Sequence, residues 1–430
     1  MKTDLNRRGV VFFALLAVII SLLYSSTVHA PFNFDDEVVI KFEVAQKATG
    51  DLYSNLYPPR YRHLFYSSLI FNYSKGKLNP FGYHLVNITI HIFTSIVIFF
   101  IAFFTAQKSL SLERKEALSI ASITTLLFSI NPIQSETVNY ISARATGMSS
   151  FFYLAALLSF VIGSFRKQKP SPRFLLYLLS LVCFLASILC KETALTFPAA
   201  LLLYDVCFMR NEYWTSLKNR LLFFYLPLFS CATISVFKVL SMKSMIVDWW
   251  QRIDFEYGFK QIQIIGHGAR LILLPVGLTF DYDFPNTFFA TNTLAIATFL
   301  FALGVILTIA LYFPKRLILV SFCFFWFLIT LATTNSILPR TDFLSERNLY
   351  LPSFGILFFV AITIHRLVLA NHNQLVVKKI GAYCLIIFFI FQIMLLHKRN
   401  LLYRSNILLW EDTLQKSPGK LRALHNLSHF

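Results

Sequence analysis

Charge is what this 430-residue chain has least of. Asp, Glu, Lys and Arg together make up 14% of it, where soluble globular proteins carry about a quarter. The shortage excludes an ordinary water-soluble fold. With 56% hydrophobic residues, 47 Phe and a mean hydropathy of +0.62, the composition is that of an all-α polytopic membrane protein. Cysteine is also scarce. Cys183, Cys190, Cys207, Cys231, Cys323 and Cys384 all lie within or at the edges of apolar runs, with no metal-ligand spacing among them. They read as small buried apolar residues. Acids are scarcer than bases, 21 against 39, which leaves a net charge of +18. A basic excess of this size can signal nucleic acid, but here the bases are dispersed through short polar breaks between apolar runs. That is the positive-inside pattern of a membrane protein, and no nucleic-acid partner is expected.

Apolar runs near the ~20 residues that a spanning helix needs fall at 9–28, 84–106, 117–131, 148–165, 174–190, 193–209, 221–242, 291–313, 317–337, 350–370 and 380–397. About eleven transmembrane helices are expected. The first follows Lys2, Arg7 and Arg8 and has a weak cleavage context at Thr27–Ala30, yet its length and the spans after it make it a retained helix rather than a signal peptide. A cytoplasmic N-terminus puts Lys108, Arg114 and Lys115, then Arg166, Lys167, Lys169 and Arg173, then Arg210, Lys218 and Arg220, then Lys315 and Arg316, then Arg366, Lys378 and Lys379 on the inside. Every inside break is then basic. Residues 1–397 form the transmembrane unit. Residues 398–430 form a short outer-face helical tail, in which Trp410, Leu414, Ala423 and Leu427 resemble the start of a tetratricopeptide repeat. Stacked repeats need several copies to bury their faces, so this fragment is not expected to form an array by itself.

The acids gather on the opposite side: Asp35, Asp36, Glu37, Glu136, Glu192, Asp248, Asp254, Glu256, Asp281, Asp283, Asp342 and Glu346. Acidic residues have little influence on topology, so the bias needs another cause, and a polar catalytic face outside the membrane is one. The outer segments are also long. The stretch 243–290 carries Trp249 and Trp250 and then an amphipathic run, Phe259–Leu274, suited to lying along the membrane surface. Most informative is Asp35-Asp36-Glu37, three carboxylates just beyond the first span. A carboxylate at a membrane edge can have its proton affinity tuned for base catalysis, while three like charges in a row are also often simply solvated.

Six ordered motifs carry a family likeness: FDDE at 34–37, YRHLFYSSLIFNYSKGKLNPFGYHLVNITIHI from Tyr61, NPIQSETVNYISARATGMSS from Asn131, CKETALTFPAALLLYD from Cys190, ARLILLPVGLTFDYDFP from Ala269 and SERNLYLPSFG from Ser345. Together they resemble the transmembrane and tetratricopeptide-repeat O-mannosyltransferases and their bacterial relatives, within the membrane-embedded C-type glycosyltransferase superfamily. Two departures stand out. Those relatives continue into a long repeat array, where this chain carries only part of one helix pair. Asn131-Pro132-Ile133-Gln134 also stands where His-Pro-Ile-His is common.

The resemblance implies transfer of a sugar, with inversion, from a polyprenyl-phosphate donor to an acceptor on the outer face, a protein hydroxyl or a glycan. Such chemistry needs a base within reach of the acceptor and cations at the departing phosphate. Asp35 matches the family's first acidic position and is the expected base, with Asp36 orienting the acceptor or sharing the proton and Glu37 in support. For the donor phosphate the expected cations are Arg144, Arg60, Arg62 and Arg347. Arg144 is alone in its outer loop among small residues, and its alternative is an ion pair with Glu136; for Arg60 and Arg62 the alternative is headgroup contact. Lys191-Glu192 and Glu346-Arg347 stand at helix junctions as supporting residues or plain ion pairs. His84, seven residues before His91, is a supporting core residue. Asp281 and Asp283 are open between acceptor contact and a turn. A divalent cation beside Asp35 and Asp36 is open too, but no neighbouring His or third fixed acid completes a ligand set, and none is expected to be required.

The rival from another class is a transporter or flippase of lipid-linked saccharides. It would call for mid-membrane charges and an internal repeat, and neither is clear, since Asp205 and Lys238 lie near helix ends. A membrane scaffold would have no need of paired acids beside a basic cleft. The short tail and small loops favour a bacterial inner membrane with a periplasmic active face, or the endoplasmic reticulum lumen in a eukaryote.

Overall fold

The computed structural model describes residues 2–45, 62–165, 170–209, 224–242, 254–291, 314–340, 342–369 and 375–428. Among these the chain is helical throughout, without strands. In order the helices are α1 (Lys2–Tyr24), α2 (His63–Gly76), α3 (Pro80–Phe104), α4 (Arg114–Ser129), α5 (Ser135–Asn139), α6 (Arg144–Phe165), α7 (Pro170–Cys190), α8 (Phe197–Phe208), α9 (Leu226–Met242), α10 (Phe255–Leu273), α11 (Asn286–Thr291), α12 (Pro314–Leu331), α13 (Ser353–Ile364), α14 (Leu375–Leu402), α15 (Asn406–Lys416) and α16 (Leu421–Leu427).

Five segments among the described residues are long and apolar enough to cross a membrane: Gly9–Thr27, Pro80–Ser109, Ile141–Phe165, Arg173–Cys190 and Lys379–Leu402. A sixth is the pair Arg114–Ser129 and Pro132–Asn139, bent by 53° where Pro132 interrupts the helix. Leu226–Phe237, Ile318–Leu331 and Ser353–Val368 are shorter apolar helices. The chain is therefore a multi-pass membrane protein whose helices are less uniform than eleven regular spans. The expected span at 193–209 opens as a 3₁₀ turn, Glu192–Thr196, before α8, and the expected span at 291–313 lies almost wholly outside the described residues.

Local chemistry fixes several helix starts. Asn79 caps α3 by accepting from the Phe81 N–H at 3.1 Å, with Pro80 in the first turn. Glu113 and Glu116 form a reciprocal capping box on α4. Asp254 caps α10 by accepting from Tyr257 N at 3.0 Å. Helix α10 buries Tyr257, Gln261, Ile264, Gly268 and Leu271 while leaving Phe255, Phe259 and Leu273 exposed, the two-faced pattern of a surface-lying helix. Apolar side chains such as Val10, Val18 and Leu22 on α1 and Ile387, Ile390 and Met394 on α14 face outward, as lipid contact requires. Inside, aromatic packing dominates: Trp326 lies edge-on to Tyr153 and Phe354, and Gly355 lets α13 approach closely, since a Cβ there would meet Trp326 at 2.8 Å.

Two smaller clusters build one end of the bundle. Phe32, Ile40, Val44, Phe65, Tyr66, Leu69 and Tyr83 pack the chain after α1 onto α2 and α3. Tyr140, Ala143, Phe280, Tyr403, Leu409, Trp410 and Ala423, with Phe34 against them, dock the tail helices α15 and α16 onto the loops. The functional residues of interest stand between these clusters.

Candidate active site

Phe34 adopts φ +51, a left-handed turn that reverses the chain after α1 and starts a helical turn continuing into a π-helical segment, Glu37–Val44. Successive side chains on a helical turn diverge by about 100°, so the adjacent acids part company. Asp35 is exposed and lines a cavity of about 410 Å³, a volume within the ~300–1,000 Å³ of small-molecule pockets. Asp36 is 0% exposed. Its Oδ1 accepts from Ser142 N at 2.6 Å and Ser142 Oγ at 2.5 Å, and its Oδ2 from Ile141 N at 3.2 Å and Asn33 N at 3.3 Å. Burial nevertheless lifts its pKa to about 7, against the lowering effect of those donors. The expected acceptor-orienting role for Asp36 is corrected by this geometry: its acceptor sites are committed to tying the Asp35 turn to the start of α6. Glu37 turns away to Lys41 at 3.1 Å and is not part of the lining.

The same cavity is lined by four basic side chains, Arg62, Lys191, Arg340 and Arg347, the last two from one outer loop. Arg62, just ahead of α2, forms a two-pronged pair with Glu192 at 2.9 and 3.1 Å. Arg347 is held by Glu136, which accepts from its guanidinium and, at 2.9 Å, from its backbone N–H. Its guanidinium also lies 5.6 Å from the Tyr140 ring centroid. Lys191, at the end of α7, donates to Thr146 Oγ1 at 2.8 Å and to Asn348 Oδ1 at 3.1 Å, both neutral. Among the described residues no carboxylate lies within ion-pair distance of Lys191 or Arg340. Burial, and then repulsion from Arg347 and Arg62, hold the Lys191 ammonium well below its ordinary pKa. A buried cation repelled by its neighbours marks a site short of negative charge. Tyr66, Tyr140, Ser142, Thr146 and Asn348 supply hydroxyls and an amide around the same space.

Arg144 stands elsewhere. It is 1% exposed, outside the cavity lining, and its guanidinium donates to Asn87 Oδ1 and Asn72 Oδ1 at 2.7 Å each, Tyr83 O at 2.9 Å and Ser68 O at 3.2 Å. Neither the phosphate role nor the pairing with Glu136 fits that arrangement, because its donors are spent on joining α2, α3 and α6. His84 is buried, with Nε2 3.1 Å from Ala30 O, and His91 lies between Tyr350 and Ser129. Glu346 is buried away from the cavity, accepting from Tyr282 at 2.9 Å and from Arg399 at 3.3 Å, and burial raises its pKa to about 7. Asp281 is bound to Arg422 at 2.6 Å and Lys420 at 3.2 Å, so acceptor contact gives way to an anchoring role. Asp283 donates its backbone N–H to Ser417 Oγ at 3.1 Å, also at the tail. Arg60 lies outside the described residues.

Arg340, Tyr66, Tyr140, Ser142, Thr146 and Asn348 were not anticipated. For Arg340 a signal existed: it is the basic residue of its outer loop ahead of Arg347, the same criterion that singled out Arg144. As to metals, no group of three or more His, Cys, Asp or Glu side chains among the described residues is placed to hold an ion. From the adjacent acid pair, only Asp35 has oxygens uncommitted enough to serve as a ligand.

No family model matches the chain. By sequence it is similar to Protein O-mannosyl-transferase Tmtc3 of Drosophila melanogaster, 24% identical over 433 residues, covering 86% of this chain and 46% of that protein. It is similar also to Protein O-mannosyl-transferase TMTC3 of Homo sapiens, 23% identical over 410 residues, covering 86% and 42%. A shorter stretch of 160 residues is 33% identical to Protein O-mannosyl-transferase TMTC1 of Homo sapiens, covering 35% of this chain and 17% of the relative. The chain thus spans less than half the length of these curated relatives. In structure it resembles ArnT from Cupriavidus metallidurans, solved bound to undecaprenyl phosphate, with a TM-score of 0.51, 13% identity, and 94% of this chain and 77% of that one covered. That likeness shows a shared polytopic helical fold.

Proposed function

We propose that this chain is a membrane glycosyltransferase that moves a sugar from a polyprenyl-phosphate donor to a hydroxyl of a protein or glycan on the non-cytoplasmic side, with inversion. The observation that carries the reading is one cavity lined by the exposed carboxylate of Asp35 and by four basic side chains, with no carboxylate within ion-pair distance of Lys191 among the described residues. The relatives' names and the undecaprenyl phosphate bound by ArnT point the same way. Topologically the reading takes a cytoplasmic N-terminus and an active face in the periplasm, or in the endoplasmic reticulum lumen of a eukaryote.

In the proposed reaction the acceptor O–H enters beside Asp35, which takes the proton as the acceptor oxygen bonds to the anomeric carbon. The anomeric carbon–oxygen bond to phosphate breaks, and the electron pair leaves on the lipid phosphate. Arg62, Arg340, Arg347 and Lys191 balance that charge as it develops, where preorganised cations act most strongly. Glu192 and Glu136 hold two of the guanidinium groups in place, which keeps the wall ready before substrate arrives. Tyr140 interacts with both the Asp35 carboxylate and the Arg347 guanidinium. No divalent ion is assigned a step in this scheme.

The test is reconstitution of the purified chain with a synthetic polyprenyl-phosphate hexose and hydroxyl-bearing peptides, with Arg340→Gln as comparison. Sugar transfer by the wild type, and donor affinity at least about tenfold weaker in the variant, would support the reading; a wild type that neither binds donor nor transfers would end it.

A further inference from the structure

The tail helices α15 and α16 hold two segments that contribute to the cavity lining, and one side chain touches both. Arg422 Nε donates to Asp281 at 2.6 Å, and its terminal nitrogen donates to Asp342 at 2.6 Å. Its guanidinium also lies 5.3 Å from the ring centroid of Phe34. Phe34 immediately precedes Asp35 and holds the left-handed turn that aims it. Asp342 lies two residues after Arg340 and acts electrostatically on Arg347, so it neighbours two of the wall's cations. Around this contact Trp410 and Phe280 pack edge-on to Phe34, and Lys420 gives Asp281 a second partner.

We propose that Arg422 is a positioning residue for the active site: it keeps the Asp342 carboxylate occupied, so that Arg340 and Arg347 stay available to the donor phosphate, while its face seats Phe34 and thereby Asp35. The inference rests on the glycosyltransferase reading and deepens it. Its logic is electrostatic. Asp281 keeps Lys420 when Arg422 is lost, but Asp342 has no other ion-pair partner among the described residues. A freed carboxylate beside two guanidinium groups competes with phosphate for them. The tail is then part of the site's charge balance, and not only its cover.

The experiment compares wild type, Arg422→Gln, Asp342→Asn and the double variant in the full chain, measuring affinity for polyprenyl phosphate and, in transfer assays, donor KM and kcat separately. Arg422→Gln should weaken donor binding about tenfold and raise donor KM. Adding Asp342→Asn, which removes the competing charge, should restore affinity to within about threefold of wild type, although Phe34 has lost its guanidinium partner. Once Arg422 is gone Asp342 is already unpaired, so the second substitution removes a charge and no further bond; thermal unfolding of the single and double variants, measured alongside, should move by far less than donor affinity does and separates charge balance from stability. An Arg422→Gln variant that binds donor like the wild type, or a double variant no better than the single one, overturns the assignment. A wild type that binds no polyprenyl phosphate overturns instead the functional reading beneath it.

Discussion

Asp36→Asn keeps the shape of a side chain that accepts four hydrogen bonds and takes away one of its two accepting oxygens. If the amide oxygen remains at the Ser142 side, the new NH₂ faces the backbone N–H groups of Ile141 and Asn33, and these two donors lose the oxygen that accepted from them. Each buried donor left unsatisfied costs about 1–3 kcal/mol. Removing a carboxylate whose burial already raises its pKa to about 7 offsets part of this, so a net destabilisation of about 2–4 kcal/mol is expected near neutral pH. Because the folded pKa lies above the ordinary value of 3.8, the native state binds the Asp36 proton more tightly than the unfolded chain does. The associated stability is complete below pH ~4 and declines as pH rises through about 7, no faster than about 1.4 kcal/mol per pH unit. Asp36→Asn lacks that dependence, so its deficit should be larger at pH 5 than at pH 8. Thermal unfolding in detergent across that range, with Asp35→Asn as control, makes the check. The exposed Asp35 should move stability by less than about 0.5 kcal/mol. An Asp36→Asn variant as stable as wild type at pH 5, or an equal loss in both variants, would refute the division of labour between the two acids.

Other consequences follow from the same geometry. Donor phosphate should raise the depressed pKa of Lys191 and draw a proton onto it, so donor affinity should fall as pH rises; Lys191→Arg, which stays charged, should flatten that profile in a binding titration. Arg144→Met should cost more than about 3 kcal/mol, because Asn87, Asn72 and the Tyr83 carbonyl lose their donor. Donor affinity of its folded fraction should stay within about threefold of wild type, whereas a tenfold loss would return Arg144 to the phosphate site. Transfer should survive chelator without rescue by added divalent ions; abolition and rescue would place a cation at Asp35.

Patterns of one dimension were legible in the sequence. The long apolar runs gave α1, α3, α6, α7 and α14, since a stretch of ~20 apolar residues has few other uses. Asp35, Arg62 and Arg347 were legible as site candidates because each lies at the start of an outer helix or turn. What could not be read was direction. Asp35 and Asp36 are indistinguishable as neighbours until the turn at Phe34 sends one to the cavity and the other onto Ser142. Arg144 and Arg340 are both basic residues of outer loops. Only the fold shows that Asn87 and Asn72 converge on the first, while the second opens onto the cavity. The small residues around Arg144 are where α6 packs against its neighbours. The tail shows the same limit. Its Trp and Leu spacing pointed to a repeat fragment, but its partners Phe34, Phe280 and Tyr140 come from loops far away in sequence.

The central claim, that the Asp35 carboxylate deprotonates an acceptor in a cavity whose basic side chains hold the phosphate, is tested most directly by Asp35→Asn in the reconstituted transfer assay, with donor binding measured alongside. Loss of a general base removes about 10²–10⁴-fold of rate. The account predicts a fall in kcat of that size with donor affinity within about threefold of wild type; transfer at the wild-type rate would contradict it.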